Sequence, residues 1–484
     1  MAAKAGRRAR SVIRTGSMHG ASGSPRSSAH AAAGAMRSRA VQPGKVRTDM
    51  LSLSVATAVG LGAIIGAGIF ALSGTAIALA GSEALIAFIL VGIVVLLVAL
   101  QLGELGSILP KSKGASYSFV YYAFGSELGF ITGLLLYMCY ATAISVVSLS
   151  FGAYLSSMLG LSTVFYERIF AIVLIFILAL VNLRGIKKAA NTDSLLVFIK
   201  IGILAIFIAF ALLYAFTSGG FSPSNFASGP DRSGITPIFE ASVAIFFAYS
   251  GFQAISTFTS RISGGPNAAA KAILSSVIIS IVLYVLVVLG LLFLMPASRY
   301  QISADPLAGA LQYVHAPSWL SYLVDIGALV ATTSAALAMM LSASRILYQV
   351  SEDHLLPKIL RVYNKNKDVA TNGIILSAFV AVATLFAGNV YIIAAISNFG
   401  LIFSYIMASF ALLHFRRIRK LGTFKVPWMP YIAIITIIAL LAFMYGMPNA
   451  SLVVGVIMIM VMIIVYYFLR EFERKRVIRV RLFR

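Results

Sequence analysis

Two stretches of this chain could recognise a small zwitterion without any charged side chain. Residues 62–70 read GAIIGAGIF, with three glycines in nine positions, inside an apolar run that carries no charge between Asp49 and Glu83. Residues 245–255 read IFFAYSGFQAI and set Tyr249, Ser250, Gly251 and Gln253 in the middle of a second apolar run. Glycine costs a helix about 1 kcal/mol relative to alanine, so both stretches are candidate breaks. An unwound turn frees backbone N–H and C=O groups that lipid cannot satisfy, and it persists only beside a cavity. The N-terminus of a half-helix offers N–H donors and a positive dipole end to an anion, while freed carbonyls receive a cation. An α-amino acid carries both charges a few ångströms apart. Close helix packing is the other reading of the first stretch, because Gly62 and Gly66 form a small-xxx-small pair.

A third candidate is a charge. The segment NTDSLLVFIKIGILAIFIAF begins at Asn191 and contains Lys200, about ten residues or roughly 15 Å along a helix. That is near mid-bilayer, too deep for the lysine stem to reach water, and an ionisable group at such depth marks an ion or proton pathway. The remaining polar residues read more modestly. Glu104 is a structural hydrogen-bonding acid near a helix end, and Glu240 and Asp325 are interfacial. Asp193 faces the positive end of its own helix, and His414 sits at a membrane boundary.

The elements that hold these residues follow from composition. Of 484 residues 60% are hydrophobic and 11% charged, more apolar surface than a water-soluble fold can bury. The fold class is an all-α polytopic membrane protein. Segments of spanning length fall at roughly 52–80, 84–109, 127–157, 166–183, 191–216, 235–260, 269–296, 319–350, 371–387, 389–414, 427–447 and 449–469, where about 20 apolar residues suffice to cross. Twelve spans put both termini on one side. Lys and Arg gather in the N-terminal tail, at Lys111 and Lys113, Arg184 to Lys188, Arg261 and Lys271, Lys358 to Lys367, Arg416 to Lys425, and the C-terminal RKRVIRVRLFR. The alternate loops hold only Arg168, Arg232 and Arg299, so both termini are expected in the cytoplasm.

The net charge of +23 is therefore a loop asymmetry and not a nucleic-acid surface. Residues 1–48 hold no acidic residue and read as a disordered basic tail touching anionic lipid, with an organellar targeting peptide or a misplaced start as alternatives. The expected organisation is a tail at 1–48, a first repeat at 49–216, a second at 235–414, two further helices at 415–470 and a basic tail at 471–484. One cysteine, Cys139, allows no disulfide within the chain. The sequence has no P-loop, no Cys/His cluster and no dinucleotide fingerprint. No cofactor, metal or enzyme activity is expected, and the oligomeric state stays open.

If the first ten helices form a five-plus-five repeat, the two interruptions occupy corresponding places in the two halves, as in transporters built from inverted repeats. Four blocks then resemble the amino acid–polyamine–organocation (APC) transporters over about residues 50–470. GAIIGAGIF is similar to the family's first-helix signature, and QLGELGSILPKSKGASYSFVYYAFG from Gln101 to the second-helix end. FFAYSGFQ resembles the sixth-helix break, and SASRILYQVSEDHLLPKIL the eighth helix and its loop. The resemblance implies a leucine-transporter-like fold with broken helices one and six. It implies a substrate carboxylate on backbone N–H groups around Gly66, Ala67 and Gly68, and an ammonium on carbonyls near Ile64, Phe247, Ser250 and Gly251. Phe252 becomes a gate. Relatives of this fold hold a cation between helices one, five and eight. Lys200 matches a built-in replacement for it, with the Ile65 and Gly66 backbone and Thr333 or Ser334 as partners. Gln253 stands where members often carry glutamate, Ser260 and Arg261 replace an acidic pair, and GGPN at 264–267 replaces Asn-Pro.

The expected function is secondary active transport of amino acids across the cell membrane by alternating access, coupled to protons through Lys200. The alternatives are amino acid exchange, polyamine or organic-cation transport, and a non-transporting amino acid sensor. A pocket lined by Tyr140, Thr142, Ser145, Thr333 and Ser397 is expected between helices one, three, six, eight and ten. The absence of an acid clearly at mid-membrane favours neutral amino acids.

Overall fold

The computed structural model describes residues 51–109, 116–161, 163–185, 189–217, 222–227, 234–253, 262–364, 366–367 and 369–482. The expectations for residues 1–48, for Lys111, Lys113, Ser260 and Arg261, and for the side chains of Asp193 and the C-terminal tail lie outside these.

Helices make up nearly all of it, as the apolar runs require in a medium where every backbone group must be satisfied within the segment. The first span consists of two pieces, α1 (Leu53–Ile64) and α2 (Ala67–Ala80). Then come α3 (Ala84–Ile108), α4 (Ser116–Phe124), α5 (Ser126–Met158), α6 (Val164–Arg184) and α7 (Ala189–Thr217). After α8 (Ile235–Ala248) the chain turns at Tyr249 to Gly251, and the next described helices are α9 (Gly265–Leu294), α10 (Pro306–Tyr313) and α11 (Ser318–Glu352). The last four are α12 (Thr371–Thr384), α13 (Val390–Arg417), α14 (Tyr431–Tyr445) and α15 (Asn449–Leu482). Eight stretches among the described residues are long and apolar enough to cross a membrane, and four shorter apolar helices accompany them. The protein is an all-α polytopic membrane protein.

Two short helices that the apolar-run reading does not contain, α4 and α10, lie outside the spans. Asp305 precedes Pro306 at the start of α10, where proline's fixed φ suits a first helical turn. α4 is tied to the end of α11, because the Tyr117 hydroxyl donates to Asp353 Oδ2 at 2.6 Å. Burial and the Asp353 carboxylate both push the Tyr117 phenol far above its usual range. A two-residue antiparallel pair, Tyr363–Asn364 with Val369–Ala370, closes the loop between α11 and α12.

α5, α11 and α13 carry the centre of the packing. α5 packs on α6, α11 and α13, and α11 also on α7 and α12. Glu104 of α3 is fully buried and receives a two-pronged bond from Arg416 at the end of α13, with Nε to Oε1 at 2.6 Å and Nη2 to Oε2 at 2.8 Å. The Val426 N–H donates to the same carboxylate at 2.7 Å, and Arg416 Nη2 also donates to the Val426 carbonyl at 2.9 Å. Glu104 is therefore the structural acid expected from the sequence, welding α3, α13 and the segment before α14.

Candidate functional site

Both expected breaks exist. α1 stops at Ile64, where the N–H of Ile65 donates to the Leu61 carbonyl at 2.6 Å and that of Gly66 to the Ile64 carbonyl at 2.7 Å. Ile65 takes φ −74°, ψ 61° and Gly66 φ −95°, ψ −141°, before helical geometry returns at Ala67. α8 stops at Ala248, turns through Tyr249 and Ser250, and reaches Gly251 at φ +109°. The Ser250 N–H closes that turn on the Phe247 carbonyl at 3.0 Å.

The two breaks face one another. A Cβ on Gly68 would run into the Ala248 backbone and lie 2.9 Å from the Ala248 Cβ. Gly251 needs glycine twice over, since its φ is positive and a Cβ there would collide with the Ala63 carbonyl. The glycines thus serve both readings made from the sequence: they release the backbone, and they let the interrupted segments touch. The first N–H groups of α2 have no partners within their own helix, as at any helix start. Phe252 is fully buried, its ring 5.7 Å from that of Tyr405 on α13.

One tyrosine completes the arrangement and was not expected. Tyr284, in the middle of α9 and fully buried, donates its hydroxyl toward the Ile64 carbonyl at 2.8 Å and the Ala248 carbonyl at 3.0 Å. These are the last helical residues of α1 and α8, so one side chain caps both interrupted helices. The only signal in the sequence is a lone tyrosine within SIVLYVLVV, which ordinary aromatic packing explains as well. Tyr154 of α5 plays a similar part, donating to the Phe70 carbonyl of α2 at 2.9 Å.

Lys200 is 3% exposed. It lies on α7 between two close contacts: Val197 against Gly62 of α1, and Ile203 against Gly327 of α11. Farther along α11, Ala335 abuts the break so closely that a Cβ on Gly66 would lie 3.1 Å from its methyl carbon. The lysine therefore occupies the seam of α1, α7 and α11. Thr333 and Ser334 on α11 are half-buried, and the Ser334 hydroxyl donates to its own helix at the Ala331 carbonyl, 3.1 Å away.

Three hydroxyls expected to line a pocket also bond helix backbone. Thr142 donates to the Met138 carbonyl of its own helix at 2.7 Å. Ser145 donates to the Ala381 carbonyl of α12 at 2.7 Å, and Ser397 to the Cys139 carbonyl of α5 at 2.8 Å. Tyr140 does reach the break, as the acceptor of a bond from the Gln253 amide. Among the described residues no group of three or more His, Cys, Asp or Glu side chains could hold a metal ion.

An all-helical bundle of long apolar helices, with α2 starting against the end of α8, is that of an integral membrane protein. Residues 51–469 match the amino acid permease family model, and the chain belongs to that family. It is 28% identical over 430 residues to a methylthioribose transporter of Bacillus subtilis, covering 85% of this chain and 91% of the relative. It is 27% identical to the branched-chain amino acid permease BcaP of the same organism, over 85% and 90% of the two chains. With the chloroplastic cationic amino acid transporter 7 of Arabidopsis thaliana it shares 26% identity, over 76% and 65%. All three relatives are named as transporters or permeases.

Proposed function

We propose that the chain is a secondary active transporter that carries amino acids by alternating access, driven by symport of protons. The observation that carries this reading is the contact of two interrupted helices, α2 starting and α8 ending at the same place, in a member of the amino acid permease family. The substrate carboxylate binds the N–H groups of Ala67 and Gly68 at the positive end of α2, next to Gly66, whose own N–H closes a turn on the Ile64 carbonyl. The ammonium binds carbonyls at the ends of α1 and α8, those of Ile64, Phe247 and Ser250, beside Gly251. Phe252 closes over it. The Tyr284 hydroxyl holds the two carbonyl ends at a fixed separation, so the site is preorganised and the substrate does not bear the cost of ordering it.

Lys200 supplies the coupling. A lysine 3% exposed on a helix whose Val197 packs at Gly62 of α1 is tolerated when its charge answers backbone carbonyls such as those of Ile65 and Gly66, or partners such as Thr333 and Ser334 on α11. Protonation and deprotonation there bias the geometry of the first break, hence affinity and access. The basic loops face the cytoplasm, both termini lie inside, and the repeats are 49–216 and 235–414. The protein works in the cell membrane with its basic tails on anionic lipid.

The test is binding of a panel of labelled amino acids to the purified full chain and to Gly68→Leu. The proposal expects saturable binding in the wild type and its loss in Gly68→Leu. Equal affinity in the two proteins would remove the backbone site from the account.

A further inference from the structure

A second polar site lies at the end of the bundle remote from the basic loops. There the last turn of α5, α10 with its following turn, and the first turns of α11 flank an open cleft of about 460 Å³. Its wall includes Ser157, Gln312, His315, Ser318, Ser321 and Asp325. The sequence suggested that Asp325 is an interfacial acid, but the structure buries it to 5% exposure. The difference arises because α10 and its turn fold against the head of α11, which hydropathy does not foresee.

Asp325 is the telling residue. No hydrogen-bond donor reaches its Oδ1 among the described residues, although a carboxylate out of water demands partners. No lysine or arginine lines the pocket. Asp305, just before α10, adds like charge toward Asp325 and toward Glu167 on α6. Burial holds the Asp305 carboxyl above its usual range. Arg168 offsets Glu167, but it is not part of the pocket wall. The Gln312 amide donates to the Ser157 hydroxyl at 3.0 Å, which fixes its oxygen side as an acceptor on the rim.

We propose that this pocket binds an organic primary ammonium group, with the Asp325 carboxylate as its counter-charge and the serine and glutamine oxygens as further acceptors. Its volume is that of a small-molecule site and far exceeds a bare ion, and Asp325 alone cannot complete a metal shell. Three N–H donors of an ammonium match one unpartnered carboxylate oxygen and neighbouring hydroxyls. Tyr154, one turn before Ser157 on α5, feels both Asp305 and Asp325 and bonds the Phe70 carbonyl on α2. The pocket is thus one side chain away from the broken first helix.

The probe is 1,5-diaminopentane, an amine with no carboxylate for the N–H groups of α2. Equilibrium binding of the labelled diamine is measured on the purified full chain, Asp325→Asn, Asp325→Glu and Gln312→Lys, and on the wild type with an excess of unlabelled neutral amino acid. Saturable binding is expected in the wild type, weakened about tenfold or more in Asp325→Asn and retained in Asp325→Glu. Gln312→Lys, an exposed change that leaves the buried carboxylate in place, is expected to weaken it as well, and so keeps the test open should Asp325→Asn not fold. Excess neutral amino acid is expected to leave diamine binding unchanged, which separates this pocket from the midplane site. Absence of binding in the wild type would overturn the proposal. So would an undiminished affinity in both Asp325→Asn and Gln312→Lys, or displacement of the diamine by the neutral amino acid, which would assign the diamine to the midplane.

Discussion

Tyr284 and Lys200 are buried polar side chains within long apolar stretches of α9 and α7. Tyr284 caps carbonyls that α1 and α8 leave open at their ends. Tyr284→Phe keeps the ring and removes only the hydroxyl, so the Ala248 carbonyl loses this donor while the Ile64 carbonyl keeps the Gly66 N–H. An unmet buried polar group costs about 1–3 kcal/mol. A lower melting temperature in detergent and weaker amino acid binding are expected together; an unchanged melting temperature would mean that other donors suffice. Lys200→Ala removes a charge from the seam of α1, α7 and α11. Uptake is expected to lose its dependence on the proton gradient while the protein still elutes as a folded species. An unaltered pH profile would exclude Lys200 as the coupling group. The lysine was conspicuous in the sequence because charge is rare at that depth. The tyrosine was not, because its role depends on α9 lying across two helices distant in sequence.

At the scale of elements, the interruptions follow from glycine placement, and the structure puts them where GAIIGAGIF and AYSGFQ suggested. What the sequence could not supply was how the hydroxyls of neighbouring helices are spent. Thr142, Ser145 and Ser397, expected to line a pocket, each bond a backbone carbonyl as well, a choice made by local geometry that periodicity cannot encode. Gly251→Ala tests the second break. Its φ of +109° and the approach of the Ala63 carbonyl both oppose a methyl group, so expression or thermal stability is expected to fall by an amount worth about 1–3 kcal/mol. Wild-type stability would show that the turn has room to adjust. α10 also escaped the sequence reading, because its eight residues are too few to give a spanning signal.

For the molecule as a whole, the Glu104–Arg416 pair joins helices 312 positions apart in the chain and is a stability element independent of transport. Glu104→Gln leaves Arg416 facing a neutral amide. Truncating one partner of a buried pair is strongly destabilising, by about 3–5 kcal/mol, and Arg416 is 26% exposed, so the smaller end of that range applies. A clear drop in thermal midpoint with amino acid affinity intact in the remaining folded protein is expected. Loss of affinity at unchanged stability would instead draw Glu104 into the substrate path. The polytopic class was readable because hydropathy alone requires it. The cleft around Asp325 was not, because it forms only when a loop helix packs against a helix head.

The most direct measurement of the central claim is uptake by proteoliposomes containing the full chain, with labelled amino acids outside and an inward proton gradient. The account predicts accumulation above the external concentration, its collapse when a protonophore dissipates the gradient, and no accumulation by Gly68→Leu. Uptake that requires amino acid preloaded inside, and that ignores the gradient, would contradict it and identify an exchanger.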